Sequence, residues 1–187
     1  MTHLANTERR YGTVAIILHW LMAVLLIALI ALGVYMASLP DVGFDTKKIA
    51  LILYHKQLGI LALVVAALRL AWRVGNALPQ LVEELPEWQK VTALFVHLCF
   101  YGLMLALPIT GWLLSSAAGF TVSFFGVFDL PDFVSHNDRL FHTFADIHRW
   151  LGYVLIVFIL IHAVAALRHH VLFNDETLKK MLPEARP

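Results

Sequence analysis

Four stretches of about twenty apolar residues divide this chain, and no other feature restricts its fold so tightly. They run from about Val14 to Ala37, Lys48 to Trp72, Val91 to Ser116 and Ile147 to His169. At about 1.5 Å of rise per helical residue, each can cross a hydrocarbon layer roughly 30 Å thick. In lipid only helices and closed barrels satisfy every backbone amide. Barrel strands would be about ten residues of alternating polarity, a pattern absent here. The chain therefore reads as all-α, an integral membrane four-helix bundle forming a single transmembrane domain over residues 1–187. Composition agrees, with 60% hydrophobic and 14% charged residues against about half and a quarter in soluble domains. The lipid bilayer is thus the first partner, and a net charge of +1 gives no support to nucleic acid. The first run is too long for a signal peptide, and no small-residue cleavage site follows it.

Basic residues set the orientation. With the N-terminus inside, the inner segments carry Arg9, Arg10, Arg69, Arg73, Lys90, Arg168, Lys179, Lys180 and Arg186, and the outer ones Lys47, Lys48, Lys56, Arg139 and Arg149. The excess on the first side places both termini in the cytoplasm. Pro108, within the third run, is expected to kink it. The longest loop, Ala117 to Asp146, is rich in phenylalanine (Phe120, Phe124, Phe125, Phe128, Phe133). That composition suits a segment lying along the outer interface, or equally a packed loop.

Histidine within a span is costly without a partner and so marks a functional site. His148 and His162 in the fourth run are fourteen residues apart. At about 100° per residue both imidazoles point the same way, about 21 Å apart along the axis. Alternating topology then supplies partners. His19 enters near the inner face, level with His162, and His55 begins the second span near the outer face, level with His148. Two cross-helix imidazole pairs at opposite depths are what two bis-histidine haems require. No CxxCH sequence is present for covalent attachment, so the haems are expected to be non-covalent. Proton relays and zinc transport also use membrane histidines, but they usually need carboxylates alongside. No Asp or Glu lies in the apolar centre of any run.

The same interval relates Gly33 to His19, Gly111 to His97 and Arg69 to His55. Gly33 is expected to face the outer cofactor, and Gly59 and Gly152, one turn beyond His55 and His148, to give a flat macrocycle clearance. Ordinary helix packing would use glycines equally well. Arg69 is expected near the inner cofactor, where a propionate or a quinone carbonyl could take its guanidinium. His97 has no obvious opposite ligand, and a hydrogen bond to a neighbouring helix explains it at least as well as ligation. His3, His136, His142, His169 and His170 lie at or beyond the interfaces.

These residues resemble the bacterial cytochrome b561 family from Tyr11 to about Pro183. The resemblance is carried by Leu18-His19-Trp20, Tyr54-His55-Lys56 with Gly59, and Leu68-Arg69-Leu70 with Arg73. It continues through Ala106-Leu107-Pro108-Ile109-Thr110-Gly111, His148 with Leu151-Gly152-Tyr153, and His162-Ala163 followed by His169. It implies two haem b groups with His19, His55, His148 and His162 as axial ligands to iron. It also implies a multi-pass protein of the bacterial inner membrane that passes electrons to the quinone pool, with ubiquinone as acceptor. One branch of the family oxidises superoxide outside and reduces ubiquinone. Lys47, Lys48 and Lys56 beside His55 suit such an anion, although Asp41, Asp45, Asp129, Asp132, Asp138 and Asp146 share that side. Trp20, Arg73, Arg168 and His169 are the quinone candidates, with plain positive-inside charge the competing explanation for the two arginines. The alternative function is a haem b anchor subunit, draining electrons from a partner dehydrogenase. The outer donor would then be a redox protein instead of superoxide.

Overall fold

Each apolar run is helical. The computed structural model describes residues 4–8, 10–40, 45–80 and 86–182. Within them α1 spans Thr13–Ser38, α2 Thr46–Gly75, α3 Glu87–Ala117 and α4 Asp138–Arg168. His3, Arg9, Asp41, Pro183 and Arg186 fall outside the described residues.

Local chemistry sets where the helices begin. Asp45 caps α2 by accepting from the backbone N–H groups of Lys47 at 2.9 Å and Lys48 at 3.2 Å, which satisfies donors the first turn leaves free. Asn137 does the same for α4 through Leu140 N–H at 3.0 Å. The helix begins at Asp138, ahead of the apolar run expected from about Ile147. Its opening residues are too polar for a hydropathy run, yet Leu140, Phe141 and Phe144 keep the helical spacing. At the far end α4 passes into a π-helical turn over His169–Phe173, closed by Asn174 in the left-handed region with φ 50°, which asparagine tolerates. Helix α3 continues unbroken through Pro108. Because proline has no N–H, the Met104 carbonyl lacks its ladder donor there.

The long loop is a packed structure. Its strands β1 (Ser123–Phe124) and β2 (Phe128–Asp129) pair antiparallel. The turn between them takes Phe125 and Gly126 to φ 51° and 72°, both positive as the tight hairpin turn requires. Val122 and Leu130 at its base bury themselves against Ile60 of α2. Phe120, Phe125, Phe128 and Phe133 remain exposed.

Helix α1 packs on α2, α2 on α3 and α3 on α4. One core cluster draws on all four: Met22 and Leu26, Val65 and Ala66, Leu103 and Met104, and Leu155. Ala62 and Ala66, each 1% exposed, let backbones approach closely, as membrane helix contacts favour. By contrast, only 6% of the most apolar stretch of α4 is buried inside the protein. Such a surface is stable only against lipid, and all four helices are long and apolar enough to cross a membrane.

Candidate functional site

Helix α4 is continuous from Asp138 to Arg168, so His148 and His162 stand one above the other about 21 Å apart. Leu155 lies midway between them and is 2% exposed. The shared core cluster therefore forms an apolar plug between two histidine sites. At one end the ring centres of His19 and His162 are 6.2 Å apart. At the other, those of His55 and His148 are also 6.2 Å apart. Two imidazoles holding one metal ion through nitrogen bonds of about 2 Å have ring centres about 6 Å apart. Among the described residues no three His, Cys, Asp or Glu side chains converge on one metal position. The chemistry on offer is a pair of neutral nitrogen donors at each end.

At the His55–His148 end the protonation of one ring follows from its neighbours. His148 Nδ1 lies 3.1 Å from the Leu107 carbonyl oxygen. A carbonyl only accepts, so Nδ1 carries the proton and Nε2 is left as a bare donor to metal. The Thr110 hydroxyl, which donates to the same carbonyl at 2.9 Å, has its oxygen 3.1 Å from Nδ1. Gly111 permits the approach: a Cβ there would meet His148 Cε1 at 3.2 Å. Gly33 stands likewise against His55, where a Cβ would come within 3.3 Å of Cε1. The two glycines thus clear room for the histidine rings themselves. Among the described residues, a Cβ at Gly59 or Gly152 would meet no atom within 4 Å beyond its own helix backbone. His55 Nδ1 is buried without a partner among the described residues. Tautomer, spacing and clearance at this end fit a metalloporphyrin held between the rings.

The His19–His162 end opens into a pocket that also touches Arg69, His97, Phe100 and Tyr101. Here Arg69 Nη2 donates to His19 Nδ1 at 2.8 Å, while Arg69 Nε is buried and unpartnered among the described residues. His97 donates from Nδ1 to the Ala93 carbonyl at 2.7 Å. That bond lies within its own helix. Its ring also stands 5.7 Å from that of His162.

A second, smaller space adjoins the first, sharing Arg69, His97 and Tyr101 and adding Tyr11, Trp72 and Arg73. Arg73 stacks on the Tyr101 ring at 5.5 Å. Trp72 Nε1 is buried without a partner among the described residues. The four quinone candidates are not gathered together. Only Arg73 lines these spaces. Trp20 packs edge-on to His19 with ring centres 5.4 Å apart, and its indole donates to Met181 O at 2.8 Å. Arg168 lies 4.9 Å over the Phe173 ring, and His169 is hydrogen-bonded to Asp175. Sequence reasoning passed over Tyr11, Trp72 and Tyr101. The spacing of Trp72 and Arg73 after Arg69, and of Tyr101 after His97, was the signal that they share helix faces.

Nearly the whole length of the chain has recognisable relatives. Residues 10–184 match the family model described as prokaryotic cytochrome b561. Cytochrome b561 homolog 2 of Escherichia coli (strain K12) is 34% identical over 178 residues, covering 95% of this chain and 93% of the relative. Cytochrome b561 homolog 1 of the same organism is 32% identical over 184 residues, covering 95% and 99%. A protein of Yersinia pestis named probable superoxide oxidase CybB is 29% identical over 181 residues, covering 96% and 99%. With its four candidate membrane helices and paired histidines, this chain belongs to the prokaryotic cytochrome b561 family, a family of membrane cytochromes that implies haem b.

Proposed function

We propose that the protein is a transmembrane electron carrier with two haem b groups, one between His19 and His162 and one between His55 and His148. Both termini face the cytoplasm, and the electrons leave to ubiquinone. The observation that carries this reading is the recurrence of one ring spacing, 6.2 Å, at two depths of one continuous helix. When bound, haem would supply one-electron chemistry at iron, with His19, His162, His55 and His148 as the residues that would hold it. The chain's own residues supply position and electrostatics.

At the His55–His148 end the protein holds His148 in the ligating tautomer. At the other end Arg69 has a different task. Its donation to His19 Nδ1 leaves the proton of the neutral ring on Nε2. Ligation through Nε2 therefore requires Arg69 to release His19. The carboxylates that haem b carries are the acceptors suited to a guanidinium.

The adjoining space is the proposed quinone site. Trp72 Nε1 offers an unused donor there, and Arg73 a fixed positive charge that favours electron uptake by a bound dione ahead of its protonation. Burial pushes the Tyr11 phenol above its ordinary pKa against the lowering pull of Arg73. Its hydroxyl therefore keeps its proton at neutral pH and can donate to a carbonyl.

The proposed donor is superoxide, making the protein a superoxide:ubiquinone oxidoreductase. Two superoxide ions each lose one electron to become dioxygen, and the quinone takes two electrons and two protons. The name of the Yersinia relative supports this donor. So does Lys56, next to His55 with its ammonium 5.4 Å over the Phe120 ring, as a cation at the end where the anion would arrive. Mixing purified, haem-loaded protein with superoxide and a water-soluble ubiquinone tests the proposal. Haem reduction faster than spontaneous dismutation, followed by quinol formation, is expected. Absence of that reduction would remove superoxide as donor and favour the anchor-subunit function.

A further inference from the structure

We propose that the Leu107–Gly111 turn of α3 is the positioning element for His148, tuning the electron affinity of the iron that His148 holds. The inference rests on His148 being an iron ligand. Three observations meet at this one ring. The Leu107 carbonyl accepts from Nδ1–H at 3.1 Å. The Thr110 hydroxyl commits its own proton to that carbonyl at 2.9 Å, so its oxygen, 3.1 Å from Nδ1, faces the same N–H as a second acceptor. Gly111 removes the side chain that would collide with the ring edge.

Two acceptors on Nδ1–H draw its proton away from the ring and make Nε2 a stronger electron donor. A stronger donor favours ferric over ferrous iron and lowers the reduction potential. The partner ring has no such arrangement, since His55 Nδ1 is buried without an acceptor among the described residues. The two axial ligands of one iron are therefore unequal, and the tuning is delivered from α3 through His148 alone. At the opposite end His19 Nδ1 meets a guanidinium donor at 2.8 Å instead of an acceptor. The two ends of the molecule are thus built to hold unequal potentials. Thr110 acts through His148 and is a positioning residue.

The test is a spectroelectrochemical titration of the full-length, haem-loaded protein and of Thr110→Val, Thr110→Ser and His148→Ala, at one pH. Thr110→Val keeps the side-chain shape and deletes one acceptor while the Leu107 carbonyl remains, so the effect is modest. One of the two midpoints should rise by a threefold to tenfold shift in the one-electron equilibrium, a tenfold shift corresponding to about 59 mV. The other midpoint should stay where it was, and Thr110→Ser should restore the original value. Unchanged midpoints in Thr110→Val, or an equal movement of both, would overturn the proposal. Should Thr110→Val fail to accumulate, Gly111→Ala serves in its place. Its Cβ presses on the His148 ring and should perturb one ferric low-spin EPR signal only, and two altered signals or none would count against the inference. His148→Ala separates the underlying assumption. Retention of both haems there defeats the ligand assignment, whereas loss of one haem beside an unmoved Thr110→Val midpoint defeats the tuning role.

Discussion

Leu155→Ala probes the plug between the histidine pairs. Leu155 is 2% exposed, seven residues from both His148 and His162, and packed among side chains from the other three helices. In a soluble core a Leu→Ala change costs about 2.7–5.0 kcal/mol, part transfer free energy and part cavity. Here the transfer part largely vanishes, because helices that separate in lipid still keep Leu155 in an apolar medium. What remains is the void. Three missing carbons leave roughly 60–80 Å³ if nothing relaxes, and at about 24 cal/mol per Å³ this amounts to about 1.5–2 kcal/mol. Leu160, 59% exposed on the same helix, faces lipid in both states, so Leu160→Ala should cost less than about 0.5 kcal/mol. Unfolding of both variants in mixed micelles, followed by far-ultraviolet circular dichroism and by the haem Soret band, measures the difference. Because Leu155 sits midway, its loss should weaken retention of both haems alike. Equal costs at the two positions, or a cost at Leu155 above about 3 kcal/mol, would refute the view that packing shape holds this bundle together.

Two further outcomes follow from the site and its surroundings. His148→Ala should remove one haem and leave the His19–His162 site loaded, His162→Ala should do the reverse, and a difference spectrum of each purified variant checks this. At the membrane-flanking end, hydrogen bonds from Thr177 and the His169 imidazole hold the Asp175 carboxyl below its ordinary value, although burial alone would raise it. A depressed carboxylate pKa stabilises above the unfolded value and is lost as pH falls through the folded one. Hydrogen exchange over residues 175–182 should therefore stay slow down through the ordinary carboxylate range and rise only below it, whereas Asp175→Asn should raise it already at neutral pH.

What could be read from the sequence was whatever repeats along one helix. Apolar runs reported the membrane helices because hydrocarbon sets both their length and their composition. The fourteen-residue interval on α4 brought His148 and His162 to one face, since that interval nearly completes whole turns. The start of α4 escaped notice because Asp138 to Asp146 is helical without being apolar, and its signal is a cap at Asn137. The hairpin at Phe124–Phe128 escaped because its strands are only two residues each. Within the site, Thr110 and the Leu107 carbonyl meet His148 from another helix, across 38 and 41 positions of sequence. No periodicity along α4 encodes such a contact. Tyr11, Trp72 and Arg73 similarly enclose one space only once α1, α2 and α3 have packed.

The most direct measurement is haem content: a pyridine haemochrome assay against protein concentration on the purified full-length chain. Two equally spaced imidazole pairs should bind two non-covalent iron porphyrins per polypeptide, and a value of one or none would contradict the paired-site reading of α4.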